Sequence, residues 1–293
     1  MSDLRLMAIH AHPDDESSKG AATMARYAAT GVDVRVITCT GGEQGSILNP
    51  AMDKPGVLDR LPEIRKSEMA KAAAALGVSQ RWLGYKDSGL PEGDPPAPLA
   101  PDSFALQPNG KVVGDLVREI RDFRPQVIIT YDENGGYPHP DHLKVHEVSM
   151  LAWDAAGDAD AYPGEGEPFT PSKLYYSHGF IRQRMELFHN LLVDAGKPSP
   201  FDGLLDRWDA SMADIMSRVT TRIPCADYFP QRDAALEAHA SQIDPHGIFF
   251  STERSVEAKL WPTEEFELAA TRVSTTLPEK DLFAGIADVL GDA

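Results

Sequence analysis

Two apolar runs flanking an alanine-rich segment open this chain and constrain its fold more than any other feature. The first run, Leu4–His10, has the character of a buried strand, and Val32–Thr40 alternates apolar residues in the manner of a second strand. Between them, residues 19–29 favour a helix, with Ser17 as a candidate N-cap. Such a unit joins two parallel strands by a right-handed crossover. The pattern predicts an α/β fold: a Rossmann-like, mostly parallel sheet with helices on both faces.

The alternation of strand-like and helix-like segments continues beyond this unit. Further helices are predicted at Leu61–Leu76, Val112–Phe123, His142–Ala156, Arg182–Ala195, Arg232–Ser241 and Glu264–Thr271, and further strands at 81–84, Val127–Tyr131 and 173–178. Residues 86–109 are rich in Pro, Gly and Asp, which favours a long functional or mobile loop. We expect residues 1–157 to form the Rossmann-like core and 158–293 a smaller C-terminal lobe that completes the sheet and the substrate pocket.

The composition narrows the possible partners. A length of 293 residues suits one large α/β domain or a core with a smaller lobe, and the formal net charge of −17 argues against nucleic acid and anionic membrane surfaces. Two cysteines, Cys39 and Cys225, offer no disulfide framework. With no signal-like or membrane-spanning run, the expected location is the cytoplasm. The sequence leaves the oligomeric state open.

Two polar clusters follow strand-like runs. Residues 10–16 read His-Ala-His-Pro-Asp-Asp-Glu after the first strand, and residues 137–142 read Tyr-Pro-His-Pro-Asp-His after the run Val127–Tyr131. In open α/β sheets, ligands bind where strands end. Imidazoles and carboxylates together suit zinc or a similar divalent metal. The clusters therefore predict one shared metal site.

A catalytic metal needs three protein ligands, an open position for water and a base beside that water. His12 and one of the adjacent carboxylates, Asp14 or Asp15, can converge on a single point, which leaves the other carboxylate as the base. His142 can supply the third ligand from the second cluster. The spacing alone does not decide which aspartate takes which role.

Other polar residues near the clusters have candidate roles. Asp141 or Asp132 would orient an imidazole through its second nitrogen. His139 is a candidate acid or oxyanion stabiliser, and Tyr137 a candidate hydrogen-bond donor to a tetrahedral intermediate.

For four residues, structural explanations compete with functional ones. His10 is better explained as a structural histidine than as a ligand. Glu16 is equally consistent with a first-turn helix charge and a metal contact. Glu43, in a glycine-rich loop, and His239, in the C-terminal half, are each balanced between a role in the site and a structural one.

The two motifs carry a resemblance to a known family. Ala11–Glu16 and the distal His139–His142 resemble the signature of the metal-dependent de-N-acetylases, which include the glucosaminyl-phosphatidylinositol deacetylases and the mycothiol enzymes. The resemblance extends over nearly the whole chain, and its mycothiol branch is indicated by the segments 17–20, 47–53, 87–91, 131–137 and 261–268.

The resemblance implies a role for each candidate residue. The implied metal ligands are His12, Asp15 and His142; the implied catalytic residues are Asp14 as base, His139 as acid, Asp141 orienting His139, and Tyr137 assisting the oxyanion. Arg65 and Asp87 match substrate-binding positions, and Lys19 is implied to contact the larger substrate of the branch. With Glu43 they form the candidate substrate-binding set. Without the resemblance, Arg65 and Lys19 would be taken for solvated charges and Asp87 for a turn cap. Ser46 departs from the family, since relatives often carry a glutamate there.

The resemblance also implies a cofactor and a reaction. The cofactor is Zn²⁺, with Fe²⁺ an alternative in the cell. The reaction is hydrolysis of a small-molecule substrate, a mycothiol S-conjugate, to an N-acetylcysteine S-conjugate and glucosaminyl-inositol. One alternative is the deacetylation of N-acetylglucosaminyl-inositol. A non-catalytic sugar or nucleotide binder is disfavoured, because the first strand leads into His-Pro-Asp-Asp and not into a Gly-x-Gly-x-x-Gly loop.

Overall fold

The computed structural model describes residues 4–206 and 214–286, and a single sheet organises them. Its strands are β1 (Arg5–His10), β2 (Asp33–Thr40), β3 (Ser79–Tyr85), β4 (Val127–Thr130), β5 (Lys173–His178), β6 (Thr221–Pro224) and β7 (Thr263–Thr271). They lie in the order β3-β2-β1-β4-β5-β7-β6. The first five pair in parallel, whereas β7 runs antiparallel to both of its neighbours. The predicted fold class, a mostly parallel α/β sheet, is confirmed.

Helices cover both faces of this sheet. They are α1 (Asp15–Ser18), α2 (Ala21–Ala29), α3 (Leu61–Leu76), α4 (Asn109–Phe123), α5 (Pro140–Ala155), α6 (Arg182–Asp194), α7 (Asp202–Leu205), α8 (Phe229–Ala238) and α9 (Arg254–Leu260). Among the described helices, none combines the length and the apolar character that crossing a bilayer requires.

Strand β1 shows why two helical layers form. Side chains alternate along a strand, so Leu6 and Ala8 face one side while Met7 and Ile9 face the other. The first pair packs in a core with α2, α3 and α8, and the second in a core with α4 and α5. All four side chains are fully buried, as expected for a central strand of a parallel sheet.

The strand order places a topological switch point between β1 and β4. From β1 the chain moves outward through β2 and β3, then returns to the other side of β1 to form β4. At such a point the two following loops diverge and leave a crevice beyond the carboxyl ends of the strands. Both polar clusters follow these two strands.

Three local predictions differ from the structure. Residues 264–271, predicted as a helix, belong to β7, because pairing with β5 and β6 satisfies the backbone of this segment. Strand β6 was not anticipated. The helix predicted over 19–29 with Ser17 as its N-cap begins only at Ala21: Ser17 lies within α1, and Gly20, with a φ of 85°, is the N-cap of α2. The division at residue 157 stays a prediction.

Candidate metal centre and active-site cleft

The polar residues that follow β1 and β4 meet at the carboxyl edge of the sheet. Three of their atoms face one another: His12 Nδ1, Asp15 Oδ2 and His142 Nε2. The two nitrogens lie 3.3 Å apart, and Oδ2 lies 3.6 Å from Nδ1 and 3.4 Å from Nε2. All three side chains are buried.

These separations fit a divalent metal. Tetrahedral zinc with bonds of about 2.0–2.1 Å to nitrogen and oxygen holds neighbouring ligand atoms roughly 3.4 Å apart. Two imidazoles and one carboxylate also leave a fourth position open, as catalytic sites require. The residues that would hold a metal are therefore His12, Asp15 and His142, the set implied by the resemblance.

The second nitrogen of each imidazole in this set has a partner that fixes the ring. His12 Nε2 lies 3.2 Å from an Asp141 oxygen and 3.4 Å from an Asp87 oxygen. His142 Nδ1 lies 2.8 Å from the carbonyl oxygen of Gly135. A proton on the outward nitrogen leaves the inward nitrogen with a free lone pair, the usual support of a metal-binding histidine.

A second group of three side chains is also close enough to share a metal: His12, Asp87 and His139. Here His12 would bind through Nε2, the nitrogen that already faces the Asp141 carboxylate. Binding a metal at Nε2 would displace that contact and leave Nδ1 facing another imidazole. The first group keeps every supporting contact and is the better site.

The turn before α5 fixes His142 through Gly135. The carboxylate of Asp132 holds this turn by accepting hydrogen bonds from the backbone N–H groups of Asn134 and Gly136. Gly135 has a φ of 68°, and a Cβ there would lie 2.7 Å from the Cβ of His142. Asp132, predicted as an orienting carboxylate, thus acts on His142 through the backbone.

Tyr131 is a component of the site that the sequence did not single out. Its ring stacks on His142 with 4.5 Å between centroids and 4° between planes. Its hydroxyl accepts the Ala11 N–H at 2.9 Å and lies 3.3 Å from His10 Nδ1. His10 contacts Tyr131 and belongs to neither group of side chains close enough to share a metal, which favours its structural interpretation; burial lowers its pKa to about 4. The signal for Tyr131 was its position at the end of a predicted strand.

Lys19 lies deeper than the resemblance implied. Its side chain is buried, and Nζ contacts Asp15 Oδ1 at 2.6 Å, while Asp15 Oδ2 faces the two histidines. This geometry does not support the expected contact between Lys19 and the substrate. Because the side chain is buried, Lys19 is also not a solvated charge. The break at Gly20 turns Lys19 inward as the C-cap of α1.

The two adjacent aspartates have opposite electrostatic environments. Burial raises the pKa of Asp14, although Arg65 opposes this. Burial also acts on Asp15, but Lys19 and His142 outweigh it and hold the pKa of Asp15 well below its ordinary value. A carboxyl with a raised pKa is the better proton acceptor at neutral pH, and a permanently ionised one is the better ligand.

An open cleft lies beside the candidate metal centre. Its lining includes the predicted site residues His12, Asp14, Arg65, Asp87, Tyr137 and His139, together with Ser46 and Gln242. Tyr137 is 40% exposed there. His139 Nδ1 accepts the Asp141 N–H at 3.1 Å, which leaves Nε2 as the protonated nitrogen of the neutral ring. Burial and His12 lower the pKa of His139 to about 4.

The contacts of Asp141 differ from those that the resemblance implied. Its carboxylate contacts His12 Nε2 and accepts hydrogen bonds from the backbone and hydroxyl of Ser88. Its contact with His139 is made by its backbone N–H. The carboxylate thus orients His12 and not His139, because the first turn of α5 directs it toward β1. Ser88 lies in the segment 87–91 that carries the resemblance, but no role was implied for its side chain.

The candidate substrate-binding residues also hold the loops of the cleft. Arg65, from α3, donates to the carbonyl oxygens of Gly42 and Pro13 and pairs with Asp14 at 3.2 Å. Asp87 accepts N–H groups from residues 44 and 89. Glu43 accepts the Asp87 N–H at 3.0 Å, so it supports the cleft without lining it.

Glu16 and His239 form a buried pair behind the cleft. Glu16 Oε1 lies 2.7 Å from His239 Nε2, and both side chains are fully buried. Although burial opposes both charges, each partner favours the charge of the other: the pKa of Glu16 falls to about 2, and the pKa of His239 rises. Neither residue faces the three ligand atoms.

Comparisons with known proteins agree with this architecture. Residues 7–153 match the family model described as PIG-L: GlcNAc-PI de-N-acetylase. In the structural comparison, an N,N'-diacetylchitobiose deacetylase from Pyrococcus horikoshii superposes with a TM-score of 0.59 at 16% identity, covering 90% of this chain and 83% of that chain. At this identity the likeness concerns the fold.

Two relatives are similar over almost the full length. The mycothiol S-conjugate amidase of Streptomyces coelicolor is 54% identical, covering 97% of this chain and 98% of the relative. The 1D-myo-inositol 2-acetamido-2-deoxy-alpha-D-glucopyranoside deacetylase of Thermobispora bispora is 38% identical, covering 98% of this chain and all of the relative.

Proposed function

The chain belongs to the PIG-L family of GlcNAc-PI de-N-acetylases, and we propose that it hydrolyses the amide bond of mycothiol S-conjugates. The products would be an N-acetylcysteine S-conjugate, which is a mercapturic acid, and glucosaminyl-inositol. Such a reaction removes an alkylating agent from the cell as its thiol conjugate, so the proposed physiological role is detoxification in the cytoplasm.

One observation carries the reaction class: three ligand atoms at tetrahedral spacing lie beside a carboxyl with a raised pKa, in an open cleft. The substrate rests on a different observation, the 54% identity to a mycothiol S-conjugate amidase over almost the whole chain. The two supports are independent, and the experiment below separates them.

We propose Zn²⁺ as the metal, held by His12, Asp15 and His142. Two nitrogens and one oxygen also suit Fe²⁺. When bound, the metal would lower the pKa of a water molecule toward neutrality and polarise the carbonyl of the scissile amide. Lys19 occupies the second oxygen of Asp15, which favours a ligand that binds through one oxygen and keeps the fourth position free.

Asp14 is the proposed general base. It lines the cleft beside His12, and burial raises its pKa, which makes its carboxylate a better proton acceptor. Arg65 pairs with its carboxylate at 3.2 Å and thereby fixes its orientation. Asp14 would take the proton of the attacking water and later return it to the sugar nitrogen as the C–N bond breaks.

His139 and Tyr137 are the proposed donors to the oxyanion of the tetrahedral intermediate. Since His139 accepts a backbone N–H at Nδ1, its neutral ring presents an N–H at Nε2. Tyr137 stands at the mouth of the cleft with its ring against His142. Donors directed at developing negative charge supply a large part of the catalysis of acyl transfer. This arrangement favours Asp14 over His139 as the source of the proton for the amine.

Arg65 and Asp87 are the proposed contacts to the sugar-inositol moiety, because both line the cleft. Glu43 supports Asp87 and would act through it. Ser46 lies in the same cleft. The larger acyl group of an S-conjugate needs space in this region, and a serine is smaller than the glutamate expected from relatives.

The second candidate function is deacetylation of N-acetylglucosaminyl-inositol. A deacetylase relative at 38% identity over the full length favours it. The same ligands, base and donors would serve both reactions, because both cleave an amide at the same sugar nitrogen. The substrates differ only in the acyl group.

The test is amine release from a mycothiol S-conjugate and from N-acetylglucosaminyl-inositol, each with and without a chelator. We expect faster, chelator-sensitive cleavage of the conjugate. A higher kcat/KM on the acetyl sugar would assign the protein to the deacetylases. If the chelator leaves both activities intact, the metal-dependent mechanism is wrong.

A further inference from the structure

The backbone of Asp14 has an unusual conformation. Its φ is 118° and its ψ is −24°, a region that side chains with a Cβ rarely adopt. Such strain persists where surrounding contacts over-determine the conformation, and it concentrates at functional sites. Asp14 must therefore be held by neighbours whose contacts outweigh this cost.

The backbone of Asp14 is held at both of its polar groups: its carbonyl oxygen accepts the N–H groups of Ser17 and Ser18, and Glu16 holds its N–H. The side chain of Glu16 bends back so that Oε2 accepts the Asp14 N–H at 3.0 Å. The other oxygen, Oε1, accepts the Ser17 hydroxyl at 2.5 Å and faces His239 Nε2 at 2.7 Å. Glu16 is fully buried, so the acceptor end of its bond to Asp14 is shielded from solvent.

His239 anchors this arrangement from another part of the chain. It is the C-cap residue of α8, which packs against α1, and its side chain is fully buried. Its Nδ1 has no hydrogen-bond partner among residues 4–206 and 214–286, so the bond to Glu16 is the one that orients its ring there. Two hydrogen bonds thus connect α8 to Asp14: one between His239 and Glu16, and one between Glu16 and the Asp14 N–H.

We infer that Glu16 and His239 are positioning residues that hold Asp14 in its strained conformation and thereby direct its carboxylate into the cleft. From this conformation the Asp14 carboxylate pairs with Arg65 and lines the cleft beside His12. The inference rests on the proposed function in that it takes Asp14 as the base. It adds that the last residue of the first motif acts through the backbone of Asp14 and not on the metal.

A stability comparison tests the strain without an activity assay. If Asp14 is strained, Asp14→Gly melts at a higher temperature than Asp14→Ala, since glycine tolerates a φ of 118°. If Glu16 imposes the strain, the gap shrinks when both variants also carry Glu16→Leu, because leucine has no acceptor for the Asp14 N–H and the backbone can then relax. An equal gap in both backgrounds would overturn the inference.

Kinetics test the consequence for catalysis. His239→Leu removes the donor to Glu16, and we expect kcat on the preferred substrate to fall by on the order of a hundredfold, the cost of a misplacement near 1 Å. We expect KM and the dissociation constant for Zn²⁺ to change little. His239→Gln, whose amide can donate from a similar position, should recover much of kcat.

A control separates positioning of Asp14 from the general loss of stability that follows when the hydrogen bonds of a buried carboxylate are disturbed. Glu68, on α3, is buried like Glu16. It accepts the backbone N–H and the hydroxyl of Ser241 and does not contact Asp14. Glu68→Gln should lower the melting temperature while kcat stays near wild type. If Glu68→Gln and His239→Leu lower kcat equally, or if His239→Leu loses Zn²⁺ in proportion to kcat, the inference is wrong.

The two proposals fail in different ways. A wild-type protein that cleaves neither the conjugate nor the acetyl sugar would contradict the proposed function, while the melting comparison would still decide whether Glu16 imposes the strain at Asp14.

Discussion

At the scale of single residues, the site gives adjacent side chains of the same type different environments. Asp14 and Asp15 are neighbours, yet Asp15 faces two histidines and a buried lysine, while Asp14 faces Arg65 and the cleft. The environments move the pKa values of the two carboxyls in opposite directions. This separation allows one of them to bind a metal and the other to move a proton.

Asp14→Ala tests the proposed base. The three ligand atoms do not include Asp14, so the variant should bind Zn²⁺ as the wild type does. Turnover of the preferred substrate should fall by about 10²–10⁴-fold, the usual contribution of a general base. Metal content by atomic emission and amine release measured on the same sample check both expectations. Near wild-type turnover would contradict the assignment.

Asp141→Asn tests which histidine Asp141 orients. Since the carboxylate contacts His12 Nε2, we expect Zn²⁺ affinity to fall by about 10–100-fold, as for other supporting partners of metal-binding histidines. Competition with a chromophoric chelator measures this. If affinity is unchanged and only kcat falls, Asp141 serves His139, as the resemblance implied.

The sequence predicted that His12, Asp15 and His142 would converge, but it did not predict every contact of the residues around them. His12, Asp15 and His142 belong to motifs of fixed spacing, so their convergence followed from strand ends. The depth of Lys19 depends on a helix break at Gly20, and the direction of the Asp141 carboxylate depends on how α5 begins. Both depend on the backbone conformation of single residues at helix ends, which local composition does not encode.

At the scale of elements, the turn between β4 and α5 positions His142 in the candidate metal centre. The Asp132 carboxylate holds its backbone, and the Gly135 carbonyl fixes the ring of His142. The turn has little room, because a side chain at Gly135 would meet His142. Gly135 therefore lets the turn pass close to His142, where a residue with a Cβ would not fit.

Gly135→Ala should displace this turn and weaken the metal site. An added Cβ would lie 2.7 Å from the Cβ of His142, so the carbonyl or the ring must move. We expect at least about a tenfold loss of Zn²⁺ affinity, the lower range for losing a supporting contact. Gly196→Ala is the matched control: Gly196 has the same φ of 68° but nothing within 4 Å of an added Cβ. Equal Zn²⁺ affinity in both variants would contradict the account.

Element prediction failed where pairing is non-local. Residues 264–271 lie in a strand because β5 and β6, far away in sequence, flank them. The carboxylate of Glu264 also accepts the N–H groups of Ala22 and Thr23 at the start of α2. Neither relation has a signal within the segment itself, whereas the N-terminal strand–helix–strand unit is local and was predicted.

At the scale of the whole molecule, the C-terminal half completes the sheet and supports the site from behind. Strands β5, β7 and β6 extend the sheet beyond β4, and α8 packs behind α1. A buried carboxylate, Glu279, joins β5 to β6: it contacts Lys173 and accepts a hydrogen bond from Tyr175, both in β5, and it accepts another from Thr221 in β6. Burial disfavours its charge, but these contacts hold the pKa of Glu279 below its ordinary value near 4.5.

This carboxylate predicts a pH dependence of stability. Because its pKa is lower in the folded state, Glu279 contributes stability that is present above about pH 4.5 and is lost as pH falls through the folded-state pKa. Glu279→Gln should therefore lower the melting temperature at pH 7, and the gap to wild type should narrow toward pH 3. A gap that is constant between these pH values would show that the charge of Glu279 contributes nothing.

The location of the metal tests the central claim most directly. An anomalous difference map from crystals of the Zn²⁺-loaded protein should show a peak about 2.0–2.2 Å from His12 Nδ1, Asp15 Oδ2 and His142 Nε2. A peak among His12 Nε2, Asp87 and His139, the other group close enough to bind an ion, would contradict the proposed ligand set and the placement of Asp14 as its base.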